Sequence, residues 1–339
     1  MNQNNKPTIK DVSRKAGFSI TTVSQILNHK GQRFPPETQR LVQAAAEELG
    51  YVANFSARNT RLATQQRTIG VLVPQIQNPF FGNLFRGIQD YIYNEAIDAI
   101  LVSTDSDQRK AHRYLEHLIQ RSVDGFIIAT QLDSQDPLLQ KLQRMHIPYV
   151  LLDQNEGDEV GDQIIVNEQQ GGHLVAEHLA AVKQGPIILV VPQQQSSNIQ
   201  TRIAAVRAGL AQHQIPAAAI YDYQVADLTK LAGTAVGKQI MADFAGVSAL
   251  TIWAVDDEVA IGITKAIQQA HKQIPATVKL MGYDDTDYAE YLNLTTIHQP
   301  ITTMGHKAAE LLKERLEDPT RLRQVIINDV KLIQRGSTK

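Results

Sequence analysis

Along the first fifty residues the apolar positions recur at helical spacing. Ile9, Val12 and Ala16 share one face of a segment that starts at Thr8; Val23, Ile26 and Leu27 share one face of a second that starts after Ser19. Thr8 and Ser19 are N-cap residue types, and Asp11 brings a carboxylate to the positive end of the first helix. Gly17 interrupts the pattern, so two short helices meet at a tight turn. A third opens at Pro36-Glu37 and runs through Leu41, Val42, Ala45 and Leu49 to Gly50, with proline in the first turn and glycine past the last. The outward row of the second helix, Ile20, Thr21, Ser24, Gln25 and Asn28, is short and mostly polar. This is the layout of a helix-turn-helix, whose second helix presents such side chains to base edges in the major groove.

From Thr68 onward the period changes. Apolar runs at Ile69 to Val73, Ala99 to Ser103, Gly125 to Ala129 and Pro148 to Leu152 start 30, 26 and 23 residues apart, with helical stretches between them. A second series follows at Pro186 to Val191, Ile220 to Tyr223, Ala249 to Ala254 and Val278 to Gly282. Both spacings are those of βαβ units. Ile187 to Val191 is apolar throughout rather than alternating, as expected of a central parallel strand covered on both faces. The reading is an α/β body of two doubly wound lobes.

Composition changes the picture in three respects. The 339 residues, 43% hydrophobic and 20% charged, are too many for one ordinary core and predict a globular chain of at least two domains. There is no cysteine, which removes disulfides, thiolate nucleophiles and thiolate-held metals. The net charge of -2 divides unevenly: residues 1–66 carry nine Lys/Arg against four acids, a net of +5, and the remainder is -7. A basic head on an acidic body predicts that the head meets a polyanion. The first residues lack a signal-peptide core and no 18-residue apolar run follows, so the expectation is a cytoplasmic protein with no membrane partner.

In open α/β sheets ligands bind outside the carboxyl ends of the strands. Those ends here carry Asn78-Pro79-Phe80-Phe81, Thr104 to Asp107, Asp153-Gln154, Gln193 to Asn198 with Arg202 beyond, Asp256-Asp257-Glu258, Asp284-Asp285 and His298-Gln299-Pro300. Carboxylates accept hydroxyls, arginine donates in a fork, and phenyl rings face the C–H side of a sugar. The expected ligand residues are Asn78, Phe80, Phe81, Asp153, Gln154, Arg202, Asp256, Asp284 and Gln299. Acids at strand ends also cap helices, and Asp136 and Asp227 are assigned that role.

The run Thr8 to Asn28, with Glu37-Thr38 and Glu48 to Tyr51, resembles the lactose/galactose repressor (LacI/GalR) family of bacterial transcription regulators. The body is similar to the periplasmic sugar-binding-protein fold which that family carries behind its head, through Asn78 to Phe81, Asn167 with Gly171-Gly172, Asp257-Glu258, Gly282 to Asp285 and Thr295 to Pro300. The resemblance covers essentially the whole chain. It implies a DNA-binding domain over 1–53, a hinge over 54–66 and an effector-binding and dimerisation domain over 67–339. One lobe would comprise 67–164 with 296–322, the other 165–295 with 323–339. Base readers would be Ile20, Thr21 and Gln25, with Thr8, Ser19, Ser24 and Asn28 on backbone phosphates. The family usually has Arg where Gln25 stands, and glutamine suits adenine rather than guanine.

In the hinge, Thr60 occupies the place of a minor-groove leucine wedge and Ala53 that of a proline. A threonine wedges poorly, so Leu62 or Phe55 takes over or the DNA bends less, while Arg58 and Arg61 remain for phosphates. Within the family the ribose repressor group is the most similar. By that comparison Phe80 and Phe81 sandwich the sugar, Asp153, Arg202 and Asp284 bond its hydroxyls, and Gln299 adds an amide. Asp256 for the usual Asn, and Gln154 for Arg, disfavour a phosphorylated sugar.

The resemblance thus implies a homodimeric repressor of a sugar-utilisation operon, binding double-stranded operator DNA and released by ribose or a similar small neutral sugar, with no cofactor. Phe85, Ile88, Ile92 and the helix 301 to 317 are candidate dimer surfaces, or plain core. A purine or phosphoprotein co-repressor is the alternative within the same fold. A transport-type binding protein and an α/β sugar enzyme are the alternatives outside it, the former opposed by the basic head. Gly233 to Lys238 has the wrong spacing for a phosphate loop, and no dinucleotide fingerprint or Gly-x-Ser-x-Gly elbow is present, so no enzyme is expected. His173 and His178 lie five apart, on different helix faces, and do not make a zinc site.

Overall fold

The computed structural model describes residues 7–27, 31–49, 51, 66–132, 136–153 and 161–339. Two compact units result, Met1–Gln66 and Arg67–Lys339.

In the first unit α1 (Ile9–Ala16), α2 (Ile20–Leu27) and α3 (Pro36–Leu49) close on a small core of Val12, Val23, Ile26, Val42, Ala45 and Ala46. Thr8 and Asp11 form a capping box, in which the Thr8 hydroxyl and backbone amide both donate to Asp11 Oδ2, at 2.6 and 2.8 Å. Gly17 ends α1 at φ 75°, a left-handed conformation that costs glycine nothing, and the Ser13 hydroxyl donates to the Phe18 carbonyl at 2.6 Å to fix the turn. Ser19 Oγ accepts the Thr22 amide at 3.1 Å and so caps α2.

The second unit begins with β1 (Arg67–Val73), α4 (Pro79–Ile92), β2 (Ile97–Ser103), α5 (Gln108–Gln120), β3 (Gly125–Ile128), α6 (Pro137–Arg144), β4 (Tyr149–Leu152) and β5 (Asp162–Val166). It continues with α7 (Glu168–Val182), β6 (Ile187–Pro192), α8 (Ser197–Gln212), β7 (Ile220–Val225), α9 (Lys230–Asp243), β8 (Leu250–Ala254), α10 (Asp257–Gln269) and β9 (Val278–Met281). The chain ends with α11 (Asp287–Tyr291), β10 (Thr296–His298), α12 (Ile301–Glu317), β11 (Val325–Asn328) and β12 (Lys331–Ile333). One sheet has the order β11-β5-β4-β3-β1-β2 and the other β7-β6-β8-β9, all neighbours parallel; β10 and β12 form a separate antiparallel pair. Both sheets are doubly wound, with central strands such as β3, β4, β6 and β8 buried along their length.

One expectation changes here, and one reading that the sequence left open, dimer surface or core, goes to core. Residues 325 to 328, placed by sequence with the second lobe, pair in parallel with β5 and extend the first sheet, so the last crossing falls after Asn328. An edge strand of alternating exposure leaves too weak an apolar pattern to assign by spacing. The open reading concerns the candidate dimer stripes. Ile88 and Ile92, with Met304, Leu311 and Leu312 of α12, are buried core of this chain, where α4 and α12 pack together, and Phe85 lies half-buried against them.

Candidate functional site

Strand ends build the site. A cavity of about 440 Å³ is lined from the first lobe by the start of α4 (Asn78, Phe80, Phe81) and by Asp153 after β4. From the second lobe come Asn198 and Arg202 of α8, Asp256 after β8 and Asp284 after β9, and Gln299 follows β10. Of the nine expected ligand residues, eight are thus gathered on one cleft; Gln154 lies outside the described residues. The size is in the ordinary range for small-molecule sites.

Local structure explains several of these positions. Asn78 caps α4, its side chain accepting the Phe80 amide at 2.9 Å, with Pro79 in the first turn. Asp256 caps α10 in the same way, accepting the Val259 amide at 2.8 Å through Oδ1. Capping uses one carboxylate oxygen and leaves Oδ2 buried with no hydrogen-bond partner among the described residues; Gln299 Oε1 is in the same condition, while its Nε2 donates to Asp284 Oδ1 at 2.6 Å. A buried acceptor without a partner costs free energy that a ligand donor would recover. Burial pushes the Asp256 and Asp257 carboxyls up to about 7, against the lowering effect of their backbone hydrogen bonds, and it raises Asp284 well above the carboxylate range.

Arg202 is the hub. Its Nε and Nη2 donate to the two oxygens of Glu168 at 2.8 and 2.6 Å, Nη1 donates to the Val255 carbonyl at 2.8 Å, and the guanidinium stacks 3.6 Å from the Tyr283 ring centroid. Tyr283 in turn donates to Glu168 Oε2 at 2.9 Å. A side chain at Gly171 would meet the Tyr283 hydroxyl at 2.0 Å, so the glycine lets the ring approach α7. Arg202 therefore brings fewer donors to a ligand than its type suggested, since three are taken by the protein.

Two further placements differ from expectation. Phe80 and Phe81 stand edge to face, centroids 5.1 Å apart and planes at 72°, which forms a corner with no room for a sugar ring between them. Successive residues on a helix point about 100° apart, so the two rings enter the cleft from different directions. Asp227 lines the cavity and is not a cap, because Thr229 caps α9 through the Ala232 amide. Asp136 does cap α6. Gln194 and Ser196, within the strand-end run 193–198, also line the cavity, whereas Thr130, Gln131 and Leu228 were not anticipated. Their positions after strands were a signal, but their types were not chemically distinctive.

On the head, Ser19, Ile20 and Thr21 are exposed and Ser24 and Gln25 half-buried along α2. Gln25 accepts a hydrogen bond from Arg33 through its side-chain oxygen, and the Arg33 guanidinium sits 5.1 Å from the Phe34 centroid. Asn28, Arg58 and Thr60 lie outside the described residues. Among the described residues no helix is long and apolar enough to cross a membrane.

An exposed polar row on a helix-turn-helix and a cleft between two α/β lobes define the class: a ligand-binding, DNA-binding regulator. The model for bacterial regulatory proteins of the lacI family matches residues 8–54, and that for a periplasmic binding protein-like domain matches 176–338. The chain is 31% identical over 339 residues to the HTH-type transcriptional repressor PurR of Photobacterium profundum, covering 98% of each chain. A LacI family transcriptional regulator of Enterococcus faecium, solved with bound ribose, is 35% identical with a TM-score of 0.73, covering 80% of this chain and 98% of that one. The lac repressor dimer bound to operator shares the fold, with a TM-score of 0.77 at 24% identity over 98% of this chain and 99% of that one. The chain belongs to the LacI family and is a DNA-binding transcriptional repressor.

Proposed function

We propose that this repressor responds to ribose or a similar small neutral sugar, which enters the cleft and lowers affinity for a near-palindromic operator held by a homodimer. The observation that carries this reading is a set of open acceptors: among the described residues Asp256 Oδ2 and Gln299 Oε1 are buried without partners, and Asp153 and Asp284 line the same cavity. A polyhydroxylated ring supplies several donors, and the Phe80–Phe81 corner offers an apolar surface for its C–H side. The ribose-bound relative, at 35% identity, supports the same ligand. Base reading falls to Ile20, Thr21 and Gln25, and phosphate contacts to Thr8, Ser19, Ser24, Asn28 and Arg58, with Thr60 at the hinge. Sugar binding favours one arrangement of the lobes, and coupling to DNA requires that arrangement to bind operator less well.

A purine co-repressor is the second reading, favoured by the full-length relatives named PurR. A purine also carries N–H donors, but with Phe80 and Phe81 meeting at 72° it could not stack between the two rings and would lie on one of them only. Calorimetry of the full chain with ribose, guanine and hypoxanthine separates the readings: ribose binds and the bases do not. Binding of a base alone reverses the assignment.

A further inference from the structure

Among the described residues lining the cleft there is one cation, Arg202, and it stands with four acidic side chains, Asp153, Asp227, Asp256 and Asp284. Arg202 is only 4% exposed at its side chain, and its partner Glu168 is 2% exposed and does not line the cavity. Glu168 is therefore buried behind the guanidinium, engaged on both oxygens by Arg202 and on Oε2 also by the Tyr283 hydroxyl.

We propose that Glu168 sets the charge specificity of the cleft: by holding Arg202 in a two-point ion pair it reserves the site for neutral ligands and turns away phosphate esters and carboxylates. The inference rests on the cleft being the effector site, but not on the effector being ribose. A guanidinium has five N–H donors, of which three are engaged by Glu168 and Val255, so two remain. Those two can serve a hydroxyl or a carbonyl. The positive charge is a different matter, since it is already balanced at 2.6–2.8 Å by a carboxylate with almost no access to water. An anion entering the cleft would lose its hydration and find the guanidinium neutralised and no second cation on the described lining, a burial that lacks compensation.

The same pair fixes direction. The fork of Glu168 holds the guanidinium plane, and Tyr283 covers one face of it at 3.6 Å. Glu168 is thus a positioning residue that acts through Arg202, and its removal should change which ligands bind as well as how well the protein folds. Glutamine at 168 keeps the size and one acceptor, and it returns an unbalanced positive charge to the cleft.

The test uses the full-length chain and its Glu168→Gln and Glu168→Gln/Arg202→Gln variants, followed by thermal melts in inorganic phosphate and by calorimetry with ribose and ribose 5-phosphate. The wild type should gain no melting temperature from phosphate beyond an equal ionic strength of chloride. It should prefer ribose to its phosphate by about 100-fold or more, the scale of one unbalanced buried charge. Glu168→Gln should melt lower, regain part of that loss in phosphate, and shrink the preference by about 10-fold or more. The double variant should lose the phosphate response.

Equal weakening toward both ligands with no phosphate response in Glu168→Gln would overturn the proposal and leave Glu168 a structural residue. Should that variant not fold, phosphate stabilisation of the wild type, or equal wild-type affinity for ribose and ribose 5-phosphate, overturns it. A wild type that ignores ribose while Glu168→Gln still responds to phosphate removes the sugar reading and leaves this one standing.

Discussion

Asn198 Nδ2 donates to Asp153 Oδ2 at 2.6 Å and so ties the start of α8 in one lobe to the end of β4 in the other. Asn198 is held in turn by Ser196, whose hydroxyl donates to its side-chain oxygen, and both residues line the cleft. A charge-assisted bond at this place contributes to any state in which the lobes are this close. Asn198→Ala should weaken effector binding by ~1.5–3 kcal/mol, roughly 10- to 150-fold. Calorimetry of the variant checks this, and unchanged affinity would show that the bond does not report on closure.

Buried carboxyls give the protein an unusual dependence on pH. Asp256 and Asp257 are held up to about 7 and Asp284 is raised, so the native state binds more protons than the unfolded chain above the ordinary carboxylate range. Where the native state binds more protons, stability falls as pH rises. Asp256 and Asp257 therefore contribute most below about pH 4 and lose that contribution as the pH rises through about 7, opposite to a salt-bridged carboxylate, and Asp284 acts in the same direction. Urea midpoints measured from pH 5 to 8 should decline in the wild type and decline less in Asp256→Asn. A steeper decline in the variant would contradict the assignment.

The Tyr283 hydroxyl reaches Glu168 because Gly171 has no side chain. Alanine there would place a carbon 2.0 Å from that hydroxyl, so Tyr283 must move and lose the bond to Glu168. Gly171→Ala should destabilise by ~1–3 kcal/mol, even though alanine is the better helix former. Adding Tyr283→Phe removes the clashing oxygen and should recover part of the loss, as seen in denaturant midpoints. Additive losses would mean that the two residues do not interact.

On the head, Thr21 and Gln25 lie on the outward side of α2, whose buried face is Val23 and Ile26. Thr21→Ala and Gln25→Ala should each weaken operator binding by ~1–3 kcal/mol and leave binding to random DNA unchanged. Gel-shift titrations at fixed salt compare the two. Equal losses on both DNAs would assign these residues to the phosphate backbone.

The head and the two parallel sheets were legible in the sequence because their signals are local. Capping at Thr8, the break at Gly17 and apolar runs such as 187 to 191 each state their own structure. The eight cleft residues were legible for one further reason, that parallel strands deliver their carboxyl ends to the same side. What escaped was set by contacts distant in sequence. Glu168 and Tyr283 are 115 residues apart, and nothing in either segment indicates that their meeting with Arg202 would occupy most of its donors. The corner made by Phe80 and Phe81 depends on side-chain torsions, which neither spacing nor the resemblance states. Strand β11 pairs with a strand about 160 residues earlier, and only the register reveals it.

The most direct measurement is fluorescence anisotropy of a labelled fragment of the gene's own promoter, titrated with the full-length protein at constant salt, with and without ribose. Tight binding that ribose weakens at least ~10-fold is expected, with Asp256→Asn and Arg202→Ala proteins still binding DNA but responding less to the sugar. Operator affinity that is unmoved by ribose, or raised by guanine or hypoxanthine, would contradict that expectation.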